Sequence, residues 1–233
     1  MSILLQIVTN DGTAASDTLS ATETSTGGAL DVLNLIWKGG VVMIPIGILL
    51  VIAIYLCIER YLTIKKAGKL DDKFMGGIKE MVLDGDLKGA IRLCHDKATP
   101  IALMIEKGLS RIGKPLKDIS VAVENVGKLE VYKLEKGMAL LATISGAAPM
   151  LGFLGTVTGM IRTFNQMQDS GQQITADLLS GGIGEAMMTT VAGLVVGIFA
   201  YIAYNLLSNM INKVVYKMEA SSVEFLDILH EPA

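Results

Sequence analysis

One carboxylate stands out among the residues that could do chemistry. Glu185 is the only charged residue in the run Leu178–Met210, LLSGGIGEAMMTTVAGLVVGIFAYIAYNLLSNM. From Ala186 onward the run alone is long enough to cross a bilayer, which takes about 20 residues at roughly 1.5 Å each. An acid buried in such a run costs ~3 kcal/mol on insertion scales, so it usually faces a bundle interior or a water-filled path. Two placements fit. Either Glu185 lines an ion or proton route or meets a polar partner helix, or it sits at the membrane surface with the span beginning just after it. Neither the second nor the third span carries a Lys, Arg or Asp to pair with it.

Other reactive groups are few. Thr143, Ser145, Thr156, Thr158 and Thr163 supply hydroxyls near a second apolar run. A membrane threonine can bond its own backbone one turn back, so most of these need no functional explanation. Cys57 and Cys94 lie in unlike surroundings, the first in an apolar run and the second in a charged segment, which predicts neither a disulfide nor a zinc site. Cys94-His95 lacks a second pair, and His230 stands alone; a core cysteine beside an exposed histidine is the expectation. There is no phosphate-binding G-x-x-x-x-G-K-[ST] loop, no H-E-x-x-H and no nucleophile–base pair, so no catalytic residue, cofactor or metal site is assigned.

The elements that position these groups are helices. Hydrophobic residues make up 51% of the 233 residues, the mean hydropathy is +0.51, and the excess collects in three long uncharged runs. This predicts an all-α membrane protein with three transmembrane helices, a large cytoplasmic helical domain and helices that extend beyond the bilayer. The net charge of −3 is too small to imply a nucleic-acid partner. Residues 1–38 are expected to be a flexible outer segment, polar from 10 to 29, with no cleavable signal peptide. The first span is placed at 39–60, flanked by Trp37 and Lys38 and by Glu59, Arg60 and Tyr61; Pro45 is a candidate kink.

Residues 61–136 form the charged middle. Between Arg60 and Lys136 fall 16 of the 20 Lys and Arg, offset by 11 acids. The positive-inside rule puts this segment in the cytoplasm and the N-terminus outside. Phe74, Ile78, Met81 and Val82 form one helical stripe, and Leu87, Ile91 and Cys94 another. Asp84-Gly85-Asp86 separates them as a turn and N-cap signal, and a third helix starts near Pro100 and ends at Gly113-Lys114-Pro115. From Asp118 one long helix is expected to run into the second span at 137–161. Residues 162–183 are the outer connection, with Arg162 its one basic residue and Asp177 a candidate cap. The third span is placed at 184–211, and 212–233 is a short cytoplasmic tail with Val223, Leu226 and Leu229 on one stripe.

The second and third spans are rich in small residues. Gly155–Gly159 and Gly193–Gly197 are GxxxG pairs, joined by Gly152 and by Pro149. This predicts tight helix contact, and a homo-oligomer whose second and third spans face a common lumen while the Ile-, Leu- and Val-rich first span faces membrane lipid.

The string Ala148-Pro149-Met150-Leu151-Gly152-Phe153-Leu154-Gly155-Thr156-Val157-Thr158-Gly159-Met160 and the string Gly184-Glu185-Ala186-Met187-Met188-Thr189-Thr190-Val191-Ala192-Gly193-Leu194 resemble the MotA/TolQ/ExbB proton-channel family. The likeness covers nearly the whole chain from Trp37. Three spans rather than four bring it nearest to the ExbB and TolQ branches. The resemblance implies a stator subunit in the bacterial cytoplasmic (inner) membrane: a pentamer enclosing ExbD-like single-span helices, whose aspartate takes up protons to drive a TonB-like protein in outer-membrane transport. A TolQ-like subunit of the Tol-Pal envelope system is the alternative within the family, and a non-conducting membrane scaffold the alternative outside it. The family's lumen-facing polar residues fall on Thr156, Glu185 and Thr190. On a straight helix Thr189 lies about 40° from Glu185 and Thr190 about 140° away, so matching selects Thr190 and geometry selects Thr189.

Overall fold

The computed structural model describes residues 40–69, 73–170 and 176–230. Among the described residues there are only helices, turns and short connections. The helices are α1 (Met43–Ala67), α2 (Lys73–Leu83), α3 (Leu87–Lys97), α4 (Pro100–Leu109), α5 (Leu116–Glu135), α6 (Met138–Ser170) and α7 (Ala176–His230). Three stretches are long and apolar enough to cross a membrane: Met43–Ala67, Leu116–Gln168 and Ser180–His230. The N-terminal segment, with Trp37 and Lys38, lies outside the described residues, as does the side chain of Asp177.

The short helices begin on or near the predicted signals and α2 stops at the Asp84-Gly85 turn, but α4 ends at Leu109, short of the expected Gly113-Lys114-Pro115 stop. Asp86 caps α3 by accepting from the Gly89 amide, and Thr99 caps α4 by accepting from Ala102, with Pro100 in the first turn where its missing N–H costs nothing. Pro45 also falls in a first turn, that of α1, so it does not kink the span. In α1 the face with Ile44, Ile48, Val51, Tyr55 and Ile58 is exposed, and Ile46, Ala53, Leu56 and Arg60 are buried against the rest of the chain.

Two expectations are corrected. The helix expected to run unbroken from Asp118 into the membrane is interrupted at Lys136–Gly137, where Lys136 has ψ 128° and Gly137 a φ of +82°. Only glycine adopts that φ without steric cost, so this residue marks the break. The tail is not a separate short element either. It is the end of α7, whose 55 residues extend about 80 Å at 1.5 Å per residue. Its buried stripe is Val214, Met218, Ser221, Phe225 and Ile228, continuing Ala200, Ala203, Leu207 and Ile211, whereas Val223 is exposed. Steps of three and four residues keep one face of a long helix against its neighbours.

That stripe explains the core of the helical region beyond the spans. Phe225 is fully buried with Ile78, Ala90, Cys94, Ile101, Ile105 and Val123 from α2 to α5. A Cβ on Gly108 would overlap the Phe225 ring, so α4 and the end of α7 meet where a side chain is lacking. Burial pushes the Cys94 thiol up to about 12, with Glu106 adding to the shift, while His95 is exposed, as expected of a core cysteine beside a surface histidine.

Candidate functional site

The membrane halves of α6 and α7 pack in close contact, and the small residues make it possible. A Cβ on Gly193 would stand 2.5 Å from the Ala148 carbonyl oxygen and 2.8 Å from Gly152 Cα. One on Gly197 would stand 2.5 Å from Pro149 Cγ, one on Gly159 3.0 Å from Ala186 Cβ, and one on Gly155 would overlap the Thr189 side chain. Both GxxxG pairs therefore serve contact between two helices of one chain. Backbone against backbone at this range maximises dispersion where no hydrophobic effect drives helices together.

Close approach brings side chains of α7 to backbone groups of α6. Thr189 is 2% exposed; its hydroxyl lies 2.7 Å from the Ala186 carbonyl oxygen in its own helix and 3.4 Å from that of Gly152. The Thr190 hydroxyl donates to the same Gly152 oxygen at 3.1 Å. The choice between Thr189 and Thr190 dissolves, because both approach one carbonyl of the facing helix. That oxygen could not be foreseen, since nothing in a sequence says which backbone acceptor an adjoining helix will present.

Thr156 is not part of this node. Its hydroxyl donates to the Phe153 carbonyl at 2.6 Å and the residue is half-buried. Thr143, Ser145, Thr158 and Thr163 likewise donate to carbonyls of their own helix three or four residues back, as the threonine rule predicts.

Glu185 lies one turn further out, and here the sequence reading is corrected. It has an ionic partner in its own chain: Arg162 Nη1 is 3.4 Å from Glu185 Oε1. Arg162 had been assigned to the outer connection. Instead α6 continues helical through Ser170, which places Arg162 on the same rod as Gly159 and within reach of α7. The side chains are 54% and 35% exposed, so the pair is partly open. The start of the first span closes one side, since a Cβ on Gly40, whose φ is +69°, would lie 2.5 Å from Glu185 Oε1. Gly40, Val41, Val42, Gly155, Thr158, Gly159, Arg162, Glu185 and Thr189 line a small cleft there. Sequence reasoning missed Arg162 and Gly40; the signal for the first was that it is the sole basic residue between the second and third spans.

The arrangement has two levels. An outer ion pair sits at one end of the α6–α7 contact, and a hydroxyl–carbonyl node lies inside it. Both consist of groups that donate or accept hydrogen bonds at the end of an otherwise apolar helix contact.

Comparison with known proteins gives a consistent answer. Residues 96–220 match the MotA/TolQ/ExbB proton channel family. A protein of Synechocystis sp. named biopolymer transport protein ExbB-like 1 is 31% identical over 175 residues, covering 74% of this chain and 69% of its own. An ExbB homolog of Methanothermobacter thermautotrophicus is 26% identical over 81% of this chain and 67% of its own. The Tol-Pal system protein TolQ of Haemophilus influenzae is 35% identical over 104 residues, 45% of each chain.

Proposed function

Because the chain belongs to the MotA/TolQ/ExbB proton channel family, we propose that it is the multi-span subunit of an ExbB–ExbD-type motor. In this reading it is an inner-membrane protein that assembles as a homo-oligomer, a pentamer by family likeness, around an ExbD-like single-span subunit. Proton flow through the assembly energises a TonB-like protein and so transport across the outer membrane. A proton moving down the membrane potential releases about 2.3 kcal/mol per 100 mV, enough to bias a conformational cycle.

The observation that carries the reading is the position of Glu185. It is the one carboxylate of its span, 35% exposed, at the end of the α6–α7 contact and beside an ionic partner. Glu185, Thr156, Thr190 and Thr189 are then the polar residues of the proton path, the last two at one carbonyl of the facing helix. The N-terminus is outside and the end of α7 cytoplasmic, from the concentration of Lys and Arg between Arg60 and Lys136.

The test is a tagged copy expressed in cells lacking the native subunit. Co-purification of a single-span membrane protein with an acid in its span, together with restored TonB-dependent uptake, is the expected result. Recovery of a TolR- and TolA-like set would move the assignment to the Tol-Pal system. No co-purifying single-span protein and no uptake would leave the scaffold reading in front. For the orientation, single cysteines replace exposed Ser110 and Val223 with Cys57 changed to Ala. An impermeant reagent is expected to leave both unlabelled in intact cells and to label both after permeabilisation.

A further inference from the structure

Arg60 closes the first span, and it is 8% exposed. Burying a guanidinium is costly unless its donors are met. Glu59 meets two of them, Nε at 3.0 Å and Nη2. That pair alone does not explain the burial, because neighbouring residues on one helix could pair equally well in water. The remaining contact reaches another element: Nη1 donates to the carbonyl oxygen of Lys133 at 3.2 Å.

Lys133 lies in the last turn of α5, just before the break. In a continuous helix its carbonyl would accept from the amide of residue 137. The extended ψ of Lys136 and the positive φ of Gly137 carry that amide out of helical register, and the helical ladder resumes with Leu141 bonding back to Gly137. The break leaves terminal carbonyls in need of donors. Arg60 supplies one. The first span also seats against the break itself, since a Cβ on Gly137 would stand 3.3 Å from Leu56 Cδ2 and 3.9 Å from Arg60 Nε.

We propose that Arg60 is a positioning residue that pins the joint between the cytoplasmic helix α5 and the membrane helix α6, so that the first span sets how the second span leaves the cytoplasmic domain. Arg60 and Gly137 act as one device. Glycine permits the break, and the arginine satisfies the carbonyl the break exposes. Through α6 the joint sets where Gly152 and Arg162 meet α7. Its consequence for transport rests on the channel reading above; the joint itself does not.

Two measurements keep these apart. Spin labels at Val121→Cys on α5 and Phe153→Cys on α6, both exposed positions, report the joint by their separation in full-length protein carrying Cys57→Ala and diluted with unlabelled chains. Uptake reports the channel. Arg60→Ala is expected to shift or broaden the distance distribution and to lower uptake about tenfold or more, as misplacing a remote positioning element can. Arg60→Lys keeps the charge but cannot hold Glu59 and Lys133 together, and is expected to shift the distribution in the same direction by less. Gly137→Ala favours a continuous helix that serves the Lys133 carbonyl internally, so adding Arg60→Ala to it should change the distribution little further. An unaltered distribution in Arg60→Ala overturns the proposal, and if that variant does not accumulate, an unaltered distribution in Arg60→Lys does so. A shifted distribution with full uptake upholds the joint and overturns its link to transport.

Discussion

Arg162 and Glu185 sit on different membrane helices, and their side chains meet at 3.4 Å. The contact joins α6 and α7 at one end of their close packing, beside the small cleft at Gly40. At this distance and exposure the attraction is weak, about 1 kcal/mol or less. An ion pair of that strength can open and close during a transport cycle.

Replacement of Glu185 therefore separates two roles. Glu185→Ala removes both charge and hydrogen bonding and is expected to abolish energy-dependent uptake with the protein still inserted at normal level. Glu185→Gln keeps a polar group of nearly the same shape and is expected to retain partial uptake. Arg162→Gln is expected to cost less than Glu185→Ala, with a coupling energy between the two sites of about 1 kcal/mol or less in a double-mutant cycle. Full uptake in Glu185→Ala would return the residue to the surface.

The glycines divide by what faces them. Gly193→Leu and Gly155→Leu drive a side chain into the facing helix and are expected to destabilise the chain itself, by at least 1–3 kcal/mol on the ~1–3 kcal/mol scale of overpacking. Gly146 has open space where its Cβ would be, and Gly146→Leu is expected to insert and accumulate normally. Membrane-fraction immunoblots and thermal aggregation of the purified protein check this. Equal stability of Gly193→Leu and Gly146→Leu would contradict the helix contact described above.

Loss of single hydroxyls should be mild. Thr190→Ala removes one bond to the Gly152 carbonyl, a term of roughly 1 kcal/mol. Thr156→Ala removes a bond within its own helix and is expected to be milder still in stability. Both should lower uptake less than Glu185→Ala when protein levels are matched. An uptake defect in Thr156→Ala as deep as that of Glu185→Ala would show that its hydroxyl serves the path directly.

Cys94 gives a check on the core of the helical region formed by α2 to α5 and the end of α7. With its thiol pushed up to about 12 by burial and Glu106, the reactive thiolate is scarce at neutral and mildly alkaline pH. In the Cys57→Ala background, iodoacetamide at pH 8 is expected to label the native protein at less than about one-tenth the rate of the denatured protein. Raising the pH toward the folded value increases labelling, because a raised thiol pKa keeps the proton on until higher pH. Equal rates at pH 8 would mean that α2 to α5 and the end of α7 do not form the core described.

The three apolar runs, the Asp86 cap, Pro100 and the small-residue pairs were legible in sequence because each rests on local chemistry: hydropathy, an orphan amide, a missing N–H, a missing Cβ. The strings at 148–160 and 184–194 pointed to the candidate site through their resemblance to the family. The interruption at Gly137 was also local but ambiguous, since a glycine in a helical pattern is tolerated as often as it breaks one. Other features belonged to the tertiary structure alone. That Arg162 meets Glu185, that Thr189 and Thr190 approach one carbonyl, that Phe225 fills the place left by Gly108, and that Arg60 reaches Lys133 all depend on how helices distant in sequence are rotated and aligned. Helical periodicity says which face is apolar, but the register between two helices is set only when their side chains and backbones meet.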